Sequence, residues 1–538
     1  MPRRLAIAGI GESWPGARRY REKTGMLVTS VDSSKRGLFE RLFDVVVDPS
    51  RRERAVALLL AGYAAAWWLY AVISNSSQDI NVDMGEMFAW SHEVTLGTPK
   101  HPPLATWLVR AWFSVMPVRP WAYYLFAVIS ATVALWIAWR ISARYLSAEK
   151  RVVGLVLLTF VPFYNFHALR FNANAVLIPF WALTTWFFLR SFETRRAGWA
   201  ALAGAGAAAA MLGKYWSIFL LAGLAIGAVA DSRRSAYLRS PAPWVTVGVF
   251  ALLFAPHVVW AVAHNLGPFH YALTAHPSTF AKAIGSGFIF IVGALGYIAA
   301  PIVFTLIAAQ PGMTAVKDTL WPAEAERRMI VIAFAAPFIL AALTGILLQA
   351  RVGALWTMSG MTLLPVALLS LPQLTVSRQA AVRLLALAVV FPLLMVAVSP
   401  GVATVIHRLG VPDYASHYRL IARTVDRAWR AHTNQPLRIV GSYGTIVNGI
   451  VFYLDDRPAT SDIVAPAQTP AVTEDRIARD GMAIVCPEPE TICVAAMNAY
   501  AARYAAGPIE TVYLARRHFG VLDRPVQYQI LIIPPESH

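Results

Sequence analysis

The chain has 538 residues, 57% of them hydrophobic and 14% charged, with a formal net charge of +17. So apolar a composition excludes a disordered chain, a collagen-like chain and an ordinary soluble globule. Two cysteines exclude a disulfide scaffold and a multi-cysteine metal centre.

The apolar residues fall in runs of about 20 separated by short basic connectors, which is the pattern of a polytopic helical membrane bundle. In such a protein surplus Lys and Arg record loop sidedness, so the positive charge does not point to nucleic acid. Residues 1–54 are rich in Arg and hold no apolar run long enough for a signal peptide. They are predicted to form a basic cytoplasmic N-terminal tail, with Met26 as an alternative start. The membrane domain is expected over 55–405, with the first span at 55–73 and a first outside loop at 74–121 that carries Asp79, Asp83, Glu86 and Glu93.

Later spans are predicted near 122–140, 152–168, 174–190, 199–213, 214–230, 244–262, 284–309, 329–348, 352–371 and 384–400, giving about eleven in all. The apolar stretch 199–230 is too long for one span, so it is read as two meeting at a tight turn around Gly213, Lys214 and Tyr215. With that count Arg144, Arg190, Arg233, Arg328, Arg378 and their basic neighbours all share one side with the N-terminal tail. The first loop, a loop bearing His264, His270 and His276, and everything after about residue 405 then lie on the other side.

From 412 to 538 charge, Pro and Gly return, and short β-rich runs such as 437–440, 450–454, 483–485 and 528–533 alternate with helical stretches. This predicts a small α/β extracytoplasmic domain. Cys486 and Cys493 both lie in it, seven positions apart, and the sequence leaves open whether they are bonded.

The first loop carries the strongest chemical signal. It reads Asp83-Met-Gly-Glu86-Met-Phe-Ala-Trp90, then Gly97-Thr-Pro-Lys100-His101-Pro102-Pro103-Leu104. On a helix Asp83, Glu86 and Trp90 share a face, so two carboxylates and an aromatic would look the same way. The alternative is a wet loop whose acids are merely solvated. The Pro-Pro pair fixes the chain before an amphipathic helix, and Trp90, Trp107, Trp112 and Trp121 suit a membrane interface. No glycine loop for nucleotide phosphates is present, which disfavours an ATP-driven pump and a nucleotide-sugar enzyme.

This loop resembles that of the GT-C glycosyltransferases of the protein-mannosyltransferase and aminoarabinose-transferase type, particularly the Rgt-like branch (families 39 and 83). Later landmarks agree in order: Phe171-Asn172-Ala-Asn174, Leu212-Gly213-Lys214-Tyr215, Ala255-Pro256-His257, and His264-Asn265. The resemblance implies a bacterial inner-membrane enzyme that moves a sugar, with inversion, from a polyprenyl-phosphate carrier to a glycolipid, polysaccharide or protein acceptor of the cell envelope on the periplasmic face. It places the catalytic carboxylate at Asp83; Glu86 is expected to supply a further negative charge, to orient Asp83, or to bind a divalent ion with it. The chain departs from many relatives at Met84 and Asn174, where they carry acids. No cofactor is certain, and a divalent metal has no unambiguous ligand set.

For the donor phosphate the candidates are Lys214, His101 and Arg170. A lysine inside an apolar run costs about 2.5 to 3.5 kcal/mol at mid-membrane unless it has a use or an escape route, and snorkelling at a turn is the plain alternative for Lys214. A helix-terminal hydrogen bond is the alternative for His101, and a lipid-surface anchor for Arg170. Asn172, Asn174, Tyr215 and His264 are expected to line the substrate cavity. The competing function is a transporter or flippase of a lipid-linked substrate, but the polar groups gather at one face rather than at mid-bilayer.

Overall fold

The structure, a computed structural model, describes residues 37–536 apart from 470 and 505. The part of the predicted tail before residue 37 lies outside the described residues. A short amphipathic helix, α1 (Leu38–Val47), leads into α2 (Arg52–Ser74), the first long apolar helix. The first loop then folds as α3 (Val82–Trp90), capped by the Asn81 side chain, and α4 (Leu104–Val115), which starts directly after the Pro102-Pro103 pair. Pro at the first helical position opens α5 (Pro120–Tyr145).

Each predicted span has a helical counterpart, but not all are long straight helices. The 152–168 run becomes α6 (Ala148–Thr159) and a 3-10 segment bent by 81° from it, because Pro162 and the residue before it cannot continue the helix. Then come α7 (Leu177–Thr194), α8 (Ala197–Gly213), α9 (Ile218–Ala230), a short α10 (Arg234–Leu238) and α11 (Ala242–Ala263). The break between α8 and α9 falls at Lys214, which is fully extended with φ −166° and ψ 140°. Beyond α12 (Gly267–Thr274), the 284–309 run divides into α13 (Phe280–Tyr297) and α14 (Ala299–Ala309). After α15 (Met313–Leu320) and α16 (Ala325–Leu347), the 352–371 run is mostly 3-10, with only α17 (Leu364–Leu369) α-helical. The last membrane-domain helix is α18 (Arg378–Leu409). Among the described residues six helices are long and apolar enough to span a bilayer, or seven if the bent pair counts as one.

Ion pairs tie several of the basic connectors together at one end of the bundle. Glu193 at the end of α7 accepts from Arg190 at 3.2 Å and pairs with Arg144 of α5. Glu326 at the start of α16 lies 3.1 Å from Arg144 and 3.6 Å from Arg233 after α9. These contacts place the far ends of α8 and α9 at the same end, so the two helices run as two legs of a hairpin.

The C-terminal domain opens with α19 (Tyr418–His432) and carries a five-stranded sheet in the order β2-β1-β3-β7-β4. Strands β1 (Ile439–Ser442), β2 (Ala459–Asp462) and β3 (Met482–Pro487) are parallel; β4 (Glu510–Leu514) and β7 (Val526–Ile533) are antiparallel. A separate two-residue hairpin, β5 (Arg517–His518) with β6 (Val521–Leu522), lies between them in sequence. The helices α20 (Gly444–Ile450), α21 (Glu474–Asp480) and α22 (Thr491–Arg503) complete the layers. Alternate residues of β3 enter opposite cores: Ala483 and Val485 meet Val425 and Trp429 of α19, whereas Met482 and Ile484 meet Ile477 and Met497. Burial on both faces explains the unbroken apolar run at 482–486. Cys486 and Cys493 form a disulfide joining β3 to α22.

This domain is not an appendage. Phe452, just after α20, belongs to the membrane-domain core, with ring centroids 4.9 Å from Phe88 of α3 and 5.8 Å from Phe113 of α4. Gly85 of α3 is required by the same contact, since a Cβ there would sit 2.8 Å from the Asn448 carbonyl oxygen of α20. Asp79 forms the polar part of the joint. Its backbone N–H donates to the Ala415 carbonyl at 2.8 Å, its carboxylate accepts the Arg419 N–H at 2.9 Å, and it lies 3.1 Å from the Arg516 guanidinium.

Candidate active site

The site grows from α3. Asn81 caps the helix by accepting the Asp83 N–H at 3.1 Å, and Tyr123 of α5 donates to the Met84 carbonyl at 3.0 Å, so the first turn is held from both sides. Met84, Met87 and Phe88 are buried, whereas Asp83 is exposed. Its carboxylate accepts a 2.9 Å hydrogen bond from the side-chain amide of Asn172, on the turn before α7. The other end of that amide is also fixed, because the Asn172 side-chain oxygen accepts the N–H groups of Asn174 and Ala175, both at 2.9 Å.

Asn174 continues the chain of contacts by accepting from Lys214 Nζ at 2.7 Å. Lys214 is therefore turned inward at the α8–α9 break, with its ammonium 5.0 Å from the centroid of Trp356 and within electrostatic reach of Asp83. The neutral amide of Asn174 leaves the lysine charge unneutralised by this direct contact.

Glu86 shares the α3 face with Asp83, as the spacing predicted, but its partner is Lys100 rather than Asp83. Burial lifts its carboxyl above the ordinary carboxylate range, although Lys100 opposes this. Burial likewise works against the Lys100 ammonium, yet Glu86 outweighs it and raises that group. Lys100 lies 5.5 Å from the centroid of Trp90, so the predicted carboxylate-aromatic face is present with a cation laid across it. Glu86, Trp90 and Lys100 line a hollow of about 180 Å³ closed on its other side by Tyr443, Asn448 and Asp462 of the C-terminal domain.

His101 sits between Trp90 and Tyr271, at ring distances of 6.4 and 5.7 Å. Burial, reinforced by Lys214 and Lys100, pushes its imidazole down to about 3, so it is neutral at physiological pH. It can donate one hydrogen bond to an anion but brings no charge. Among the described residues no group of three His, Cys, Asp or Glu side chains is arranged to hold a metal ion.

The remaining expected residues make other contacts. Arg170 is exposed and lines a hollow with Asp79, Asn81 and Tyr124. Tyr215 bonds to His257 Nε2 at 2.7 Å, while His257 Nδ1 meets the Leu96 carbonyl at 2.6 Å, so the ring of this α11 residue ties the α8–α9 break to the first loop. His264 is exposed, stacked at 4.3 Å on Trp260 and bonded through Nδ1 to the carbonyl of Trp260. Trp260 itself explains Gly97, since a Cβ there would lie 2.0 Å from the indole ring. Gly97→Val is accordingly expected to cost about 1 to 3 kcal/mol by forcing the loop off α11. Thermal unfolding of the purified protein measures this, and an unchanged midpoint would contradict it.

Sequence reasoning assigned no role to Lys100, Tyr271, His276, Arg351 or Trp356. His276 packs on Trp356 at 5.2 Å, feels the charges of Lys214 and Arg351, and accepts the Arg351 N–H at 2.9 Å through its backbone carbonyl. A signal for Arg351 was present: it is a lone cation between two predicted spans, on the connector opposite the basic ones.

The chain is similar in fold to ArnT from Cupriavidus metallidurans, solved bound to undecaprenyl phosphate. The alignment has a TM-score of 0.59, covering 88% of this chain and 97% of that one at 14% identity. The chain has the GT-C fold of ArnT. The apo structure of the same enzyme agrees, with a TM-score of 0.58 and the same coverage and identity. Residues 100–260, which run from Lys100 through Lys214 to Trp260, match the family described as dolichyl-phosphate-mannose-protein mannosyltransferase. The chain is also similar to the lipid A galacturonosyltransferase RgtD of Rhizobium johnstonii, 24% identical over 261 residues. That alignment covers 48% of this chain and 54% of RgtD, so the chain spans about half the length of this curated relative.

Proposed function

We propose that the protein is an inner-membrane glycosyltransferase that moves a sugar from a polyprenyl-phosphate carrier to a cell-envelope glycolipid on the periplasmic face. The observation that carries this reading is the Asp83–Asn172–Asn174–Lys214 chain: an exposed carboxylate and an inward-turned cation fixed by the same short turn, on an ArnT-type fold. The solved ArnT is bound to undecaprenyl phosphate, and RgtD is named for galacturonosyl transfer to lipid A; both point to a lipid-phosphate donor and a glycolipid acceptor here.

In this reading Lys214 takes the phosphate, and neutral His101 donates a further hydrogen bond to it. Asp83 accepts the proton of an acceptor hydroxyl as that oxygen attacks the anomeric carbon from the face opposite the phosphate. The anomeric carbon–oxygen bond to the phosphate breaks, polyprenyl phosphate leaves with its electron pair, and the configuration inverts. The leaving group needs cationic stabilisation more than protonation, so one base suffices and no second carboxylate is required. Glu86, held by Lys100, serves to position that lysine and the α3 face.

Lys214→Ala is expected to weaken binding of the polyprenyl-phosphate donor about tenfold, the scale of a charge-assisted hydrogen bond. Titration of purified protein with the carrier lipid measures it, and unchanged affinity would move the phosphate site elsewhere. The function itself is tested by mass spectrometry of membrane glycolipids from a deletion strain and its parent. Loss of one sugar-sized unit is expected. Intact glycans with an altered distribution of carrier lipid would contradict the transferase reading and favour transport.

A further inference from the structure

A second, larger hollow opens on the far side of α3. It measures about 470 Å³ and lies where the α4–α5 connector faces α19 and the segment after α20. Its lining carries four arginines, Arg119, Arg419, Arg423 and Arg457, against two acids, Asp426 and Asp455. Arg419 is committed, lying 3.7 Å from Asp79 and 5.1 Å from the Tyr453 ring centroid. Asp426 is paired with Arg430 at 3.4 Å. The side chains of Arg119, Arg423 and Arg457 are exposed and make no hydrogen bond or ion pair among the described residues.

Among the described residues, three open guanidiniums line one concavity against the single uncommitted carboxylate of Asp455, which leaves the hollow net positive and suited to an anion. Each presents a planar fork of N–H donors that matches phosphate oxygens. A phosphate monoester, with three acceptor oxygens and between one and two charges, satisfies several such forks at once. The level of the hollow in the molecule says where that phosphate comes from. Arg119 immediately precedes α5, a 26-residue apolar helix, and the next residue but one, Trp121, is 37% exposed with its carbonyl bonded to Trp68. An exposed Trp beside an Arg at the mouth of a spanning helix marks the headgroup layer of a bilayer. Phe88, which lines the hollow, is five residues from Asp83 on α3, about 7.5 Å along the helix axis but on the opposite side of the helix.

We infer that this arginine hollow holds a phosphate carried on the sugar headgroup of the acceptor glycolipid, anchoring that lipid beside α3 at the headgroup level. The inference rests on the transferase reading for the word acceptor, but the binding it describes requires no turnover. Total glycolipid is extracted from a deletion strain, half is treated with phosphatase, and each half is offered to the detergent-purified full-length protein for native mass spectrometry. Untreated glycolipid is expected to bind about tenfold more tightly than the treated sample, and Arg119→Ala/Arg423→Ala to abolish the difference. Both residues are exposed, so the double variant should fold and keep its affinity for polyprenyl phosphate.

Adding millimolar inorganic phosphate separates the two sources of this chemistry. Persistence of the glycolipid adduct is expected for a headgroup site. Displacement of the adduct would mean a site for free phosphate and would overturn the glycolipid assignment, as would equal binding of treated and untreated lipid. Absence of sugar transfer from any donor would count against the transferase reading while leaving this binding result standing. Normal transfer together with no phosphate dependence would do the reverse.

Discussion

Asp83→Asn is expected to lower turnover by about 10² to 10⁴ while donor binding stays near normal, the usual contribution of a positioned general base. The substitution keeps the shape of the side chain and one carbonyl oxygen, so the Asn172 amide still finds an acceptor at the position it now occupies, 2.9 Å away. Asp83 lies on the exposed side of α3 while Met84, Met87 and Phe88 anchor the other side, so folding should be unaffected. What is lost is basicity alone. Steady-state assays over a donor concentration series separate the two effects, and near-normal turnover in the variant would remove Asp83 from the chemistry.

The second large effect is on stability. Asp79→Ala should destabilise the joint between the first loop and the C-terminal domain by about 3 kcal/mol, because removing one member of a buried ion pair leaves the other without compensation. Asp79 is 2% exposed, and its carboxylate faces both the Arg419 N–H and the Arg516 guanidinium, which also donates to the carbonyls of Ser416 and Ser76. Loss of this contact is expected to expose the C-terminal domain to protease while α2 and α5 remain folded. Limited proteolysis of the purified variant reads this directly, and a wild-type digestion pattern would contradict it. The α3 helix stands on the same joint, so transfer should also fall.

The general architecture was legible because lipid imposes a simple rule. Spanning segments must satisfy their own backbone groups, so apolar runs and basic connectors are readable one at a time. The broken elements were not readable in this way. The 152–168 run bends at Pro162, a local break that apolarity alone passes over, and the 352–371 run is mostly 3-10, which its apolar character does not reveal. The three-residue spacing of Asp83 and Glu86 correctly placed both on one face of α3, but spacing says nothing about distant partners. Lys100 claims Glu86, and Asn172 claims Asp83.

Lys214 was recognisable because a charge in an apolar run is expensive, and its break in the α8–α9 hairpin accords with that reasoning. Asp79 illustrates the opposite case. It stands in the same acidic stretch as Asp83 and has nothing local to mark it as structural; its partners are more than 300 residues away. The roles of Tyr271, His276 and Trp356 were hidden for the same reason. The disulfide between Cys486 and Cys493 was undecidable from spacing because it depends on how β3 and α22 pack.

The most direct test of the central claim is reconstitution. The purified protein in lipid nanodiscs is supplied with polyprenyl-phosphate-linked radiolabelled sugars, one at a time, and with glycolipid extracted from a deletion strain. The account predicts that one donor transfers its label to the glycolipid with the wild-type protein, and that Asp83→Asn binds the same donor but transfers at least about a hundredfold more slowly. Transfer at the wild-type rate by Asp83→Asn, or no transfer from any donor by the wild-type protein, would contradict it.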